Sequence, residues 1–373
     1  YNFEDKFAAL LSNTSKSVQR EIKEGFVSVP KGCFIQLERK AQEYILNNIR
    51  SSFGVKAGLV SRISAFMEDS GLPLTLSNFT AYHHLDIRTI YVRDNFSRLG
   101  VLAGVREDFH ESLEAVLTKA FLRICAIDSR RWIRFLLDIF SRIENLDIES
   151  LTGAERRMLQ MFQFTVYQKS AEECGFVSIK DGFLKIKSCP VLYAELMELL
   201  QYNLSQIDFI DEPVEVGFDC PLDLHCSYTR DQILVAMDYM TPANVREGVK
   251  YLPDKNVDIF FVTLNKARKD YSPTTMYNDY SINEWLFHWQ SQSTTSDSSP
   301  TGQRYINHRR HNSKVLLFVR EFKNDVAGAA PYTFLGLADY IKHEGSKPMN
   351  ITWKLHRPIP AKFLKKTNKL VVG

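Results

Sequence analysis

The sequence predicts an α+β protein of two domains: an N-terminal all-α helical bundle, then a mixed α/β domain with a curved, barrel-like sheet. Apolar residues recur at helical spacing before residue 225, short β-branched and aromatic runs follow it, and the net charge changes sign between the two parts. We therefore divide the chain into a linker over 1–30, a helical coupling domain over 31–225 and a second domain over 226–373.

The helical domain is predicted from apolar stripes with a period close to that of an α-helix. The stripes lie within residues 37–49, 116–127, 132–143 and 191–204. A break at 151–153 is followed by helix-favouring residues, as expected where a new helix begins. No fixed repeat period joins the stripes, so the pattern favours a bundle over a helical solenoid.

The second domain is predicted to begin with a short helix over 230–239 and to continue as a sheet. Gly, Ser, Pro and Asn separate short apolar runs rich in β-branched and aromatic residues, which predict strands. These runs are 257–264, 284–290, 314–321, 332–335 and 351–355. The interval 291–301 is nearly all small and polar, and it predicts a loop whose hydroxyl and amide groups suit phosphate contacts.

The net charge of +3 hides an uneven distribution along the chain. Residues 1–225 carry a net charge of −5 and residues 226–373 a net charge of +8, so only the second domain is expected to meet a polyanion. The first residue is Tyr rather than Met, which indicates a fragment of a longer protein. No apolar run reaches the length of a membrane span, so we expect no membrane partner.

The six cysteines predict reduced intracellular thiols rather than a metal site or a disulfide framework. Cys220, His225 and Cys226 lie close together, with Cys174 and Cys189 upstream. Their spacing matches neither the Cys-x-x-Cys nor the His-x-x-x-His pattern of zinc sites, and we expect no bound metal. The sequence also lacks a phosphate-binding loop of the Walker type and a nucleophile elbow, so no catalytic residues are assigned.

One segment combines large aromatic rings with a carboxylate, an imidazole and a side-chain amide. Proteins stack bases on aromatic faces and identify them through amides and carboxylates on the hydrogen-bonding edge. The segment therefore predicts a pocket for an extruded base, in which a carboxylate accepts from the exocyclic amino group of cytosine. The candidate residues are Tyr277, Asp279, Tyr280, Trp285, His288, Trp289 and Gln290. The alternative is a buried aromatic strand beside a turn-forming Asp.

Polar and basic residues around this segment are candidates for contacts with the DNA backbone. They are Lys266, Gln292, Ser293, Thr294, Thr295, Thr301, Arg304, Tyr305, His308, Arg309, Arg310, His343 and Lys347.

A second interpretation is a magnesium-dependent nuclease. Glu321 and Lys323 form a Glu-x-Lys pair at the end of an apolar run, an arrangement that nucleases of the PD-(D/E)xK class use with an upstream Asp. Asp279 and Asp297 are the available partners, and the upstream Pro-Asp pair is missing. A third interpretation is a protein-interaction module that anchors a helicase.

Several segments of the second domain resemble a bacterial family. They read YTRDQIL at 228–234, YSPTTMYNDY at 271–280, FHWQSQ at 287–292, TGQRY at 301–305 and HEGSKP at 343–348. They are similar to the C-terminal domain found on fusions of a phospholipase-D-type nuclease with a superfamily-two helicase. Within these fusions, the chain resembles the ATP-dependent type IV restriction enzymes of the SauUSI type, which cut DNA that carries modified cytosine.

The resemblance implies a target-recognition module with an SRA-like fold. Such a module binds double-stranded DNA containing 5-methylcytosine or 5-hydroxymethylcytosine, with base flipping as the expected mode. The upstream helicase and nuclease domains of the same polypeptide would be its partners, in the bacterial cytoplasm. ATP and magnesium would serve those domains, so this part of the enzyme is expected to need no cofactor and to cut nothing by itself.

Overall fold

The computed structural model describes residues 56–265, 279–325, 328–361, 363 and 364. Its residues form two compact units. One unit contains residues 56–74 with 98–108, and the other contains 75–97 with the residues from 109 onward. Within the described ranges, no helix has the combination of length and apolar character needed to cross a membrane.

The described residues contain eleven α-helices. They are α1 Lys56–Asp69, α2 Leu76–His83, α3 Arg88–Tyr91, α4 Phe96–Leu102, α5 Glu114–Ile124, α6 Arg130–Arg142, α7 Gly153–Tyr167, α8 Ile179–Lys187, α9 Pro190–Gln206, α10 Arg230–Ala236 and α11 Pro300–Ile306. Several helices begin at a residue whose side chain accepts a hydrogen bond from a free backbone N–H group of the first turn. At α7, Thr152 and Glu155 form a reciprocal capping box.

The helices after residue 109 pack around aromatic side chains. Phe140 of α6 contacts the rings of Phe162 and Phe183, at centroid separations of 5.7 and 5.1 Å, and also that of Tyr193. The predicted stripes at 116–127, 132–143 and 191–204 are thereby confirmed as α5, α6 and α9. The stripe at 37–49 and the linker over 1–30 lie outside the described residues.

The described residues also contain ten strands, all of them after residue 226. They are β1 Ser227–Tyr228, β2 Val249–Leu252, β3 Val257–Asn265, β4 Tyr280–Ser281, β5 Leu286–Gln290, β6 Lys314–Phe322, β7 Asn324–Asp325, β8 Gly328–Ala329, β9 Tyr332–Glu344 and β10 Asn350–Leu355. The main sheet has the order β2-β3-β6-β9-β10-β5-β4, with β1 paired to β9. The pair β3–β6 is parallel and the other pairs are antiparallel, so the sheet is mixed.

The main sheet is strongly curved. Phe260 of β3 and Trp289 of β5 stack at 4.2 Å between ring centroids, although β6, β9 and β10 lie between their strands in the sheet. Two register shifts in the pairs of β9 accompany the curvature, opposite Leu317/Phe318 and Thr352/Trp353. In the described part of the chain the sheet ends at β2 and β4, so it is open and not a closed barrel.

The helices and the sheet are joined by buried hydrogen bonds. Gln232 of α10 donates to the Thr165 hydroxyl of α7 at 2.8 Å, and both residues are buried. At β1, the Ser227 backbone N–H donates to Asp128 at 2.6 Å. Burial raises the pKa of Asp128 to about 7. Helices after residue 109 and the sheet therefore belong to one compact unit, and the boundary predicted at 226 lies inside it.

Two elements differ from the sequence-based expectation. Strand β9 runs to Glu344 rather than Leu335, because its polar second half pairs with β10 beyond a bulge that interrupts the regular alternation. Helix α11 begins inside the loop predicted over 291–301. Ser299 accepts from the Gly302 N–H at 3.1 Å and Pro300 occupies the first turn, which together start a helix in a polar segment.

We expect the position of α11 to depend on the absence of a side chain at Gly302. A Cβ atom built there would lie 2.0 Å from the Ser296 carbonyl oxygen, a backbone atom. Gly→Ala inside a helix normally stabilises by up to about 1 kcal/mol, but this overlap forces a backbone shift that costs more. We expect Gly302→Ala to lower the free energy of unfolding in urea by about 2 kcal/mol.

Gly153→Ala is the matched control, because Gly153 also lies in the first turn of a helix and its nearest neighbour would be 3.4 Å away. It should change stability by less than about 0.5 kcal/mol. Equal effects of the two substitutions would contradict the steric argument.

Candidate nucleic-acid interface

Strands β3 and β6 present different chemistry on their two faces, because successive side chains point to opposite sides of a sheet. Phe260 and Val319 point into the hydrophobic core that the curved sheet surrounds. Phe261, Thr263 and Arg320 lie on the opposite face, where they line a cleft of about 1100 Å³. The same alternation that builds the core therefore builds one wall of the cleft.

The cleft is lined by more basic than acidic side chains. The basic ones are Arg93, Lys119, Arg123, Arg230, Arg246, Arg320 and Lys323. The acidic ones are Asp231, Glu247 and Asp279. Basic side chains that converge in a concave site create a positive potential, which attracts polyanions. The cleft is thus suited to a phosphate-bearing ligand.

Helical residues form the second wall of the cleft. Arg123 of α5 donates to the Thr165 and Val166 carbonyl oxygens of α7, at 2.6 and 2.8 Å. Burial lowers the pKa of this guanidinium from its usual value. Arg93 and Lys119 lie beside it with exposed side chains. The helical segment therefore supplies basic side chains to a cleft whose other wall is the sheet.

One end of the cleft carries a carboxylate, an amide and an indole together. Asp279 is buried, and its Oδ1 accepts from the Gln290 backbone N–H at 2.9 Å, which fixes the carboxylate against the end of β5. The Gln290 side chain donates to the Asn350 amide oxygen at 3.2 Å. Trp289 completes this end of the lining. Asp279, Trp289 and Gln290 are thus brought together as one site.

Three further candidates for the base pocket, Tyr280, Trp285 and His288, are not part of the cleft lining. Tyr280 and His288 stack on each other at 4.7 Å with an interplanar angle of 12°. Trp285, 42% exposed, precedes β5. Trp289 lines the cleft but is also packed in the core, with Phe260 on its face. Tyr277 lies outside the described residues.

Two candidates for DNA contacts, both on α11, are engaged within the protein. Arg304 donates to both carboxylate oxygens of Asp258, at 2.8 and 2.9 Å, and its guanidinium lies over the Tyr251 ring. Asp258 is fully buried, and desolvation raises its pKa although Arg304 opposes that rise. Tyr305, also buried, packs against Trp289 and Phe260.

His308 and Arg309, which follow α11, also contact other residues of the protein. His308 is buried, and its Nε2 accepts from the Tyr340 backbone N–H at 2.9 Å while Nδ1 lies 3.2 Å from the Ser313 carbonyl oxygen. Burial lowers the pKa of His308, which favours the neutral ring. Arg309 forms an exposed ion pair with Asp339, at 3.1 Å.

The remaining candidates are distributed around the 291–301 loop and its neighbours. Gln292 lines the cleft. Thr295 is buried, and its carbonyl oxygen accepts from the Lys347 N–H at 3.1 Å. His343 Nδ1 lies 2.6 Å from the Tyr340 hydroxyl. Ser293, Thr294, Arg310 and Lys347 are exposed, Thr301 is partly buried in the first turn of α11, and Lys266 lies outside the described residues.

Within the described ranges, no three His, Cys, Asp or Glu side chains lie close enough together to hold a metal ion. Two residues of the nuclease interpretation have different surroundings. Asp297, in the 291–301 loop, accepts a hydrogen bond from the Ser346 hydroxyl, whereas Lys323 lines the cleft. The five cysteines within the described residues are free, namely Cys125, Cys174, Cys189, Cys220 and Cys226. Burial raises the pKa of the Cys220 thiol to about 11, as expected of an unreactive buried cysteine.

Most basic residues of the cleft were not recognised from the sequence. In the sequence, Arg320 immediately precedes the Glu321/Lys323 pair of the nuclease interpretation, and Arg230 begins the helix predicted over 230–239. A usable signal exists at Arg320, which directly follows five apolar residues of β6 and lies on the face opposite the core. Arg93 and Lys119 carry no such local signal, because only tertiary packing brings them to the sheet.

The residues on the sheet side of the cleft fall within a segment that matches one known domain family. Residues 222–366 match the family model of a domain of unknown function, DUF3427. No curated protein matches the chain. The match covers Arg230, Arg320, Asp279 and Gln290, whereas the helical wall of the cleft lies outside it.

Arg304 is expected to act as a structural residue. Arg304→Gln leaves the buried Asp258 carboxylate without its cation, which costs about 3 kcal/mol of unfolding free energy near neutral pH. The pKa of Asp258 is already raised in the folded state. Ionisation of this carboxyl therefore lowers stability more and more as the pH rises above the pKa that Asp258 has in the unfolded chain. Loss of Arg304 raises that pKa further, and the deficit of the variant should shrink at acidic pH as Asp258 protonates.

Urea unfolding at several pH values measures this deficit. Arg309→Gln is the matched control, because its ion pair is exposed and should contribute less than about 1 kcal/mol. A pH-independent deficit for Arg304→Gln would argue against the role given to Asp258.

Proposed function

We propose that the chain is the target-recognition module of a type IV restriction enzyme. In this proposal it binds double-stranded DNA that contains 5-methylcytosine or 5-hydroxymethylcytosine. The observation that carries the proposal is the basic cleft, which ends in the carboxylate, amide and indole of Asp279, Gln290 and Trp289. The resemblance of residues 226–370 to SauUSI-type enzymes, with their SRA-like domain, supports the same ligand.

The charge of the cleft suits the backbone of DNA. Basic side chains that neutralise phosphates release condensed counterions, so affinity for a duplex falls steeply as the salt concentration rises. Seven basic side chains against three acidic ones give the cleft the required sign. Phosphate contacts of this kind fix the position of the duplex and carry no sequence information.

The polar end of the cleft suits the edge of a flipped cytosine. The exocyclic amino group of cytosine is a donor, and a carboxylate is its natural acceptor. The backbone N–H of Gln290 holds Asp279 in place before any ligand arrives. The Gln290 amide, anchored on Asn350, lies beside it. Extrusion of a base costs a few kcal/mol, which stacking and these edge contacts would offset.

Asp279→Asn tests the base contact with little change of shape. The Asn oxygen can keep the hydrogen bond from the Gln290 N–H, but its NH₂ group places a donor where the cytosine amino group also donates. We expect affinity for a duplex with a central 5-methylcytosine to fall about tenfold, since a charged hydrogen bond of this kind is worth about 1.5–3 kcal/mol. Fluorescence anisotropy with labelled duplexes measures the change.

Asp297→Asn is the matched control, because Asp297 lies in the exposed part of the 291–301 loop. A 2-aminopurine placed beside the modified cytosine reports flipping directly, since its fluorescence rises when its neighbour unstacks. Wild-type affinity in Asp279→Asn, or an unchanged 2-aminopurine signal on binding by the wild type, would contradict the proposed pocket.

We further propose that the chain binds DNA without cutting it, and that cleavage and ATP hydrolysis belong to the helicase and nuclease domains. Incubation of a methylated plasmid with the chain and Mg²⁺ or Mn²⁺ should leave the plasmid intact. Nicking that disappears in Glu321→Ala would favour the nuclease interpretation instead.

A further inference from the structure

Two arginines on the sheet side of the cleft share one buried tyrosine. Arg320 of β6 lies over the Tyr332 ring, with its guanidinium carbon 4.4 Å from the ring centroid. Arg230 of α10 contacts the Tyr332 hydroxyl oxygen at 3.4 Å and lies 4.8 Å from the Phe261 ring centroid. Tyr332 is 2% exposed, so it holds both guanidinium groups in the same region of the cleft.

Neutral acceptors fix the orientation of each guanidinium. Arg320 donates through Nε to the Thr263 hydroxyl at 2.9 Å and through one terminal nitrogen to the Ala330 carbonyl oxygen at 3.1 Å. Arg230 donates through one terminal nitrogen to the Val245 carbonyl oxygen at 2.9 Å. These acceptors are neutral, so they orient the planar groups without forming an ion pair. Asp231, which also lines the cleft, interacts with Arg230 electrostatically but makes no ion pair with it.

In the described chain, no carboxylate lies within ion-pair distance of either guanidinium. Arg304, by contrast, has Asp258 as a bidentate partner. Two positive groups held side by side repel each other, and an anion between them relieves that repulsion. Arginine presents several N–H groups in one plane, which match the oxygens of a phosphate group.

We propose that Arg230 and Arg320 form a phosphate subsite in the cleft, organised by Tyr332. The inference rests on the proposed function in naming a DNA phosphodiester as its ligand. The subsite holds a backbone phosphate through guanidinium N–H donors, whichever base occupies the far end. Its contribution is therefore the same for modified and unmodified duplexes, whereas the contribution of Asp279 differs between them.

Arg320→Gln is the principal test, measured by anisotropy with a 5-methylcytosine duplex and its unmodified counterpart over a range of salt concentrations. We expect about a tenfold loss of affinity for both duplexes, an unchanged ratio between them, and a salt slope smaller in magnitude by about one. Arg142→Gln is the matched control, because Arg142 is an exposed arginine on α6, outside the cleft lining. Urea unfolding confirms that each variant is folded.

A second measurement separates the subsite from the proposed function. Inorganic pyrophosphate should raise the melting temperature of the wild type and of Arg142→Gln, and should protect Arg320→Gln markedly less. Arg230→Lys keeps the charge but loses the planar donor group. Its rise in melting temperature with pyrophosphate should lie between those of the wild type and Arg320→Gln.

If the wild type binds neither duplex but pyrophosphate protects it through Arg320, the proposed function fails and the phosphate subsite stands. If Arg320→Gln binds both duplexes as tightly as Arg142→Gln does, or if pyrophosphate protects both variants equally, the subsite is overturned.

Discussion

The curvature of the sheet around one aromatic contact is the constraint on which the rest of the structure depends. Phe260 of β3 and Trp289 of β5 stack on each other, although three strands lie between β3 and β5 in the sheet order. The two ends of the sheet therefore approach each other over a common core. That approach brings the end of β5, with Asp279 and Gln290, to the same cleft as Arg320 of β6. A flat sheet with the same pairings would keep these groups far apart.

The second requirement is the attachment of the earlier helices to α10, the helix that precedes most of the sheet. The buried hydrogen bond between Gln232 and Thr165 joins α10 to α7, and Arg123 joins α5 to the end of α7. A chain cut at residue 226 would lose Arg93, Lys119 and Arg123 from the cleft. The net negative charge of the helical part, which disfavours it as a polyanion surface, hides this local basic wall. Local placement of charge, and not its sum, determines what the cleft can bind.

The sequence predicted the elements better than their arrangement. Apolar periodicity located α5, α6, α9, β3 and β6 because each buries a regular stripe, which is a local property. It failed for the second half of β9, where a bulge breaks the alternation, and for α11, whose helix depends on a cap and on close contact with Ser296. For the site, residue chemistry grouped Asp279, Trp289 and Gln290 as candidates for one pocket, and the structure places all three on the lining of one cleft. Residue chemistry could not identify Arg230, because Arg230 and Arg320 are brought together only by their shared contact with Tyr332.

Joining both walls of the cleft before any ligand arrives also affects the kinetics of recognition. When walls must close around a ligand, association slows and part of the interaction energy is spent on ordering. Here the hydrogen bond from Gln232 to Thr165 already joins α10, on one side of the cleft, to α7 on the other. A polyanion that met walls already joined in this way would spend less of the interaction energy on ordering them. Under the proposed function, such a preformed cleft would sample successive positions on a duplex without first having to close around each of them.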